Sequence, residues 1–137
     1  MSTETNKDTV REFVKRVFVK LDAHAVEELV TDDFVSHAWR TNPGQNAKES
    51  LVDATKRMSS ALSDIKFTID DLIAEGDRVV ARLTAGARQT GEFMGLPPSG
   101  KSYKVGEIHI FRLTDGKIAE HWLEMDAMGL MQQLKGD

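Results

Sequence analysis

The hydrophobic period of the chain changes once, from 3.6 residues to two, near residue 64. Before that point, Val10, Phe13, Val14, Val17, Phe18 and Leu21 recur at helical spacing and form one apolar stripe. Asp22 caps a short second helix that turns Val26, Leu29 and Val30 inward. "TDDFVSHAW" reads as a loop with a short extended piece, and "RTNPGQN" as turn material. Asn46 with Glu49 then forms a capping box, opening a third helix with Leu51, Ala54, Met58, Ala61 and Leu62 on its buried stripe.

After the switch the chain alternates. Phe67 and Ile69 begin a strand that runs toward Ile73, "EGDR" turns it, and "VVARLTAGARQT" returns. "GEFMGLPPSGK", with its glycines and paired prolines, cannot be a central strand and reads as a loop over one end of the sheet. "SYKVGEIHIFRL", the turn "TDG" and "KIAEHWLEM" make a second hairpin, and "AMGLMQQL" a short terminal helix capped by Asp126. Three helices followed by a four-stranded antiparallel meander is an α+β layout, a single domain over residues 1–137. Such helices on the concave face of a curved sheet enclose a cone, either filled by side chains or partly open.

Composition excludes several classes. A net charge of −4 leaves no electrostatic footprint for nucleic acid, and no stretch reaches membrane-spanning length. No cysteine is present, so neither disulfides nor thiolate metal sites are available. The polar start "MSTETNKDTV" has no apolar core of a signal peptide, and the expected location is cytoplasmic. No cofactor and no metal are expected.

The second hairpin carries the chemistry. A two-residue Asp-Gly turn would set Glu107 opposite Glu124, two like charges. A three-residue turn with Gly116 left-handed pairs Phe111 with Ala119, His109 with His121, and Glu107 with Leu123, and is preferred. It gathers Glu107, His109, His121, Phe111, Ala119 and Leu123 on one face and leaves Ile108, Ile110, Arg112, Ile118, Glu120 and Trp122 on the other. A carboxylate beside two imidazoles is suited to general acid–base work near neutral pH. The plainer possibility is a face whose histidines are hydrogen-bonded to backbone carbonyls. His37 and Trp39 could line the pocket mouth, Phe93, Met94 and Leu96 could form a lid, and Arg40 could attract a substrate carboxylate. The outer row Ile108, Ile110, Ile118 and Trp122 is apolar enough to suggest a homodimer.

"GEFMGLPPSGKSYKVGEIHIFRLTDGKIAEHW" followed by "DAMGLMQQL" resembles the SnoaL-like polyketide cyclase or ester cyclase family, and the upstream "DDFVSH" and "LSDIKFTIDDLIAEGDRVVAR" are similar to it as well. The resemblance implies the cone-shaped α+β barrel shared with nuclear transport factor 2 and scytalone dehydratase. It also implies an apolar pocket for a small carbonyl-bearing ligand, and frequent dimerisation through the outer sheet face. In that family the pocket acid/base is an aspartate directly after the position of Trp122, beside a histidine matching His109; Glu107 and His121 match further pocket positions. Here the aspartate position holds Leu123, and Gln89 stands where histidine is usual ahead of the proline loop. The expected catalytic set is therefore His109 or His121 as base with Glu107 orienting it. The ligand-contacting set is His37, Trp39, Gln89, Phe93, Met94, Leu96, Phe111 and Leu123. The alternatives are a non-catalytic small-ligand binding module and a structural dimerisation domain.

Overall fold

The computed structural model describes residues 2–136. Helix α1 (Thr3–Phe13) starts at Ser2, whose hydroxyl accepts from the Thr5 N–H. It does not continue as one α-helix to Leu21. Its stripe passes into a π-helical segment, Val14–Val19, closed by the Lys20 N–H on the Lys15 carbonyl at 3.1 Å. The wider turn still buries Val14 and Val17, and it directs Phe18 toward the concave side of the sheet, where it meets Phe67, Trp39 and His109. Helix α2 (Ala23–Leu29) is capped by Asp22, and α3 (Ala47–Ala61) opens with the complete Asn46–Glu49 capping box.

The sheet has five strands: β1 (Val30–Ser36), β2 (Leu62–Glu75), β3 (Arg78–Gln89), β4 (Ser102–Thr114) and β5 (Lys117–Met125), in the order β1-β5-β4-β3-β2. The expected meander accounts for β2 to β5. The segment expected to be mostly loop is instead β1, which lies parallel to β5 with Val30 opposite Ile118 and Ser36 opposite His121. Asp32 and Asp33 carry little strand signal of their own, so β1 rests on distant contacts: its pairing with β5, the burial of Val30 and Phe34, and Lys48 on Asp32. Helix α4 (Ala127–Lys135) closes the chain, capped by Asp126 at the Gly129 N–H. Among the described residues no helix is long and apolar enough to cross a membrane.

The β4–β5 register differs from both sequence-based solutions. Asp115 and Gly116 both have positive φ and form a two-residue turn that pairs Thr114 with Lys117. A bulge follows at once: Leu113 pairs with Ile118 but Arg112 with Glu120, so Ala119 is the extra residue. Ile118 and Ala119 are consequently both buried. Beyond the bulge Phe111 faces His121, His109 faces Leu123 and Glu107 faces Met125. The expected pairs were wrong by two residues along β5, an even slip that keeps His121 and Leu123 on the face of Glu107 and His109. The bulge also removes the like-charge clash, since Glu124 now stands opposite Ile108. Ile118, expected on the outer face, belongs to the core.

That core lies between α1, the π segment, α2 and the sheet. Phe13, Phe111, Leu83, Ile118, Val26 and Val79 are all fully buried there. A second cluster, centred on Ala85, Tyr103, Val105, Leu130 and Leu134, seats α4 against the other end of the sheet. Between them the concave face stays open.

Candidate functional site

A cavity of about 520 Å³ opens between α3, the π segment and the concave face. Phe18, Leu51, Phe67 and Leu123 supply apolar wall, and Glu107 and His109 supply polar wall. This is the usual composition of a small-molecule site, mostly apolar with a few convergent polar groups. The alternation of β4 puts residues 103, 105, 107, 109 and 111 on this side of the sheet.

The two polar groups, Glu107 and His109, form a line with His121, which stands behind them on β5. Glu107 Oε1 lies 2.7 Å from His109 Nε2, and His109 Nδ1 lies 2.8 Å from His121 Nε2. The two histidines do not face each other directly across the strands; His121 reaches His109 from opposite Phe111. Trp39 stacks on the far side of His121 at 4.0 Å between ring centroids. Burial, then the nearness of the His109 and His37 imidazoles, which would repel a second positive charge, pushes the His121 pKa down to about 2. His121 is therefore neutral, with one N–H to give. Glu107 Oε1 accepts from His109 Nε2–H, and His109 Nδ1 then accepts from His121 Nε2–H. His121 Nδ1 is left buried without a partner. Donors run from His121 through His109 and end on the carboxylate.

Exposure decides which group meets a ligand. The Glu107 side chain is 11% exposed, into the cavity, while that of His109 is 1% exposed and both its nitrogens are engaged. Both histidines were expected as base candidates, with the carboxylate orienting one of them; the geometry presents the carboxylate and places the imidazoles behind it. The three side chains are joined in series and do not converge on a common point, as metal ligands would.

The remaining residues divide. Trp39, Phe93, Met94 and Leu123 line the cavity. His37 does not: it lies on the outer face, stacked on Trp122 at 5.0 Å with Nε2 2.6 Å from Glu120, because the bend after β1 carries it past the sheet edge. Phe111 is core, packed edge-on against Phe13. Gln89 is fully buried and binds the loop instead: its amide donates to the Leu96 carbonyl at 3.0 Å, and Ser99 donates to its carbonyl oxygen at 2.7 Å. Leu96 turns back to pair with Phe93 across Met94 and Gly95, both at positive φ, and packs in the second cluster without lining the cavity.

Tyr103 was not anticipated. It lines the cavity on the face of Glu107, four residues earlier on β4, and stacks with Phe93. Burial, and then the charge of Glu107, raises its pKa to about 12, so the phenol keeps its proton as a donor. Its parity with Glu107 was legible in the sequence. Arg57, on α3, also lines the cavity, and nothing in its local sequence marks it out.

The SnoaL-like polyketide cyclase model matches residues 8–134. The aklanonic acid methyl ester cyclase DauD of Streptomyces sp. (strain C5) is 27% identical over 115 residues, covering 76% of this chain and 71% of that protein. The nogalonic acid methyl ester cyclase of Streptomyces nogalater is 27% identical over 115 residues, covering 80% and 82%. Among solved structures, TsrD from Streptomyces laurentii superposes with a TM-score of 0.86 at 32% identity, over 98% of this chain and 97% of that one. With a family match across nearly its whole length and a cone of the same form, this chain belongs to the SnoaL-like polyketide cyclase family.

Proposed function

We propose that the protein is a cyclase acting on a small, largely apolar 1,3-dicarbonyl compound, with Glu107 as its general base. The observation that carries this reading is the pocket-facing Glu107 carboxylate, hydrogen-bonded to His109 on the same face as the missing aspartate. An aspartate in place of Leu123 would stand across from His109; Glu107 offers a carboxylate to the same imidazole from two residues along β4.

In an intramolecular aldol closure, Glu107 takes a proton from the carbon between two carbonyls. The resulting enolate carbon attacks a third carbonyl, a ketone elsewhere in the same molecule, forming the new C–C bond, and the alkoxide takes a proton back from the Glu107 carboxyl. The Tyr103 phenol donates to the oxygen on which negative charge gathers. His109 holds the carboxylate in one rotamer, and neutral His121 fixes the His109 tautomer. A second reading, a binding module without turnover, is favoured by Leu123 alone.

The test is ring closure of aromatic 1,3-dicarbonyl esters and acids that carry a further ketone within reach of the acidic carbon, followed as product formation at constant mass. Glu107→Gln should lower turnover by about 10²-fold or more, the usual scale for a general acid/base. Glu107→Gln with Leu123→Asp should recover part of it, since a carboxylate again faces His109. Unchanged turnover in Glu107→Gln would end this assignment. Tight binding of these compounds without any isomerisation would favour the binding module.

A further inference from the structure

Arginine side chains in this protein are otherwise engaged. Arg11, Arg16, Arg82 and Arg112 pair with carboxylates, Arg78 lies over the Trp122 ring, and Arg88 donates to the Gly100 carbonyl. Among the described residues two guanidiniums have no such partner, Arg40 and Arg57, and both line the cavity. They come from different elements, the segment after β1 and the outer part of α3. Both are exposed, so they stand at the rim, while Glu107 lies in the wall at 11% exposure. Arg40 is held there by its neighbour, since Trp39 is clamped onto His121 and its N–H donates to the Ser36 hydroxyl at 2.9 Å. In a chain of net charge −4, two unpartnered cations at the mouth of an apolar pocket form a local reversal of sign.

We infer that Arg40 and Arg57 hold an anionic group of the substrate at the pocket mouth, and that the substrate is a free acid. The two relatives described above are named for methyl esters, which carry no charge at that group. A guanidinium gives planar, paired N–H donors that match a carboxylate or sulfonate and have no comparable match in a neutral ester. The inference rests on the pocket reading above and adds an orientation: the charged end outward at the arginines, the 1,3-dicarbonyl end inward at Glu107.

Two fluorescent probes share one ring system and differ in the charge, 8-anilinonaphthalene-1-sulfonate and neutral N-phenyl-1-naphthylamine. Wild-type protein should bind the sulfonate about tenfold or more tightly than the neutral amine, a difference of about 1.4 kcal/mol. Arg40→Gln with Arg57→Gln should bring the two affinities together by weakening the sulfonate alone, and added salt should do the same. Both residues are exposed, so the variant should fold, and its unchanged affinity for the neutral probe reports that it has. Ala54→Trp, which fills the cavity, should remove both probes. Equal affinities in the wild type, or a preference that survives the double variant, would overturn the inference and leave the pocket reading standing. Binding of both probes that survives Ala54→Trp, or no binding of either, would overturn the pocket reading and this inference with it.

Discussion

His121 is the residue at which burial and charge are most at odds. It is fully buried, bonded through one nitrogen only, and displaced to a pKa of about 2. An unfolded histidine takes up its proton near 6.5. Between those two values the unfolded chain binds one more proton than the folded one, so stability rises with pH. The contribution of His121 is fully present above about pH 6.5 and is lost progressively as pH falls toward 2. Glu28, Asp32 and Glu120 are all held below the ordinary carboxylate range, so their titration falls below the interval from 6.5 to 5, and the His121→Gln variant assigns the slope there. Urea titrations across that interval should show unfolding free energy falling by up to about 1.4 kcal/mol per pH unit. In His121→Gln the slope should flatten. A wild type whose midpoint is the same at pH 6.5 and pH 5 would mean that His121 is not held neutral.

At the scale of elements, the β3–β4 loop is anchored at its centre by one buried side chain. Gln89 ends β3 and holds Leu96 and Ser99 through its amide, while its backbone bonds to Lys101 and Gly100. Gly91 completes the approach to α3, where an added Cβ would sit 2.0 Å from the Ser60 carbonyl oxygen. Phe93 and Met94 therefore reach the cavity from an anchored loop. Gln89→Leu keeps the volume and leaves the Leu96 carbonyl and Ser99 hydroxyl without their partner, at a cost of about 1–3 kcal/mol. Hydrogen exchange over residues 91–101 should accelerate while β2 and β3 stay protected. Unaltered exchange in the loop would show that Gln89 is not its anchor.

Across the whole molecule, the outer sheet face carries an apolar ladder. Ile73 pairs with Val80, Val80 with Ile110, and Ile110 with Trp122, one residue from each of four strands. Ile73 is 61% exposed and nearby Ile108 46%. The bulge withdraws Ile118 from this face, but the register supplies Ile73 and Val80 in its place. We propose that this ladder is the interface of a homodimer, which buries it against its own copy. Light scattering should give twice the chain mass for the wild type, and Ile110→Lys should shift it to the monomer. A wild type that is monomeric at micromolar concentration would rule this interface out.

Local chemistry was enough for the period switch near residue 64, the caps at Asp22, Asn46 and Asp126, the proline loop, and the parity that sets Glu107 and His109 on one face; His121 joins them only through the bulge at Ala119, where a three-residue turn was expected. These follow from side-chain spacing and from donors and acceptors within a few residues of one another. Three features needed the assembled fold. Strand β1 exists because β5 offers it a parallel edge 88 residues away, Val30 to Ile118. The bulge at Ala119 settles a conflict between a favoured Asp-Gly turn and a like-charge pair, Glu107 and Glu124, eight residues to either side of it, which neither stretch shows alone. The order of the site, carboxylate in the cavity and imidazoles behind, depends on Trp39 closing over His121 from a distant segment. Alternation along a strand fixes which side a residue faces; depth on that side is set by whatever packs over it, and that comes from elsewhere in the chain.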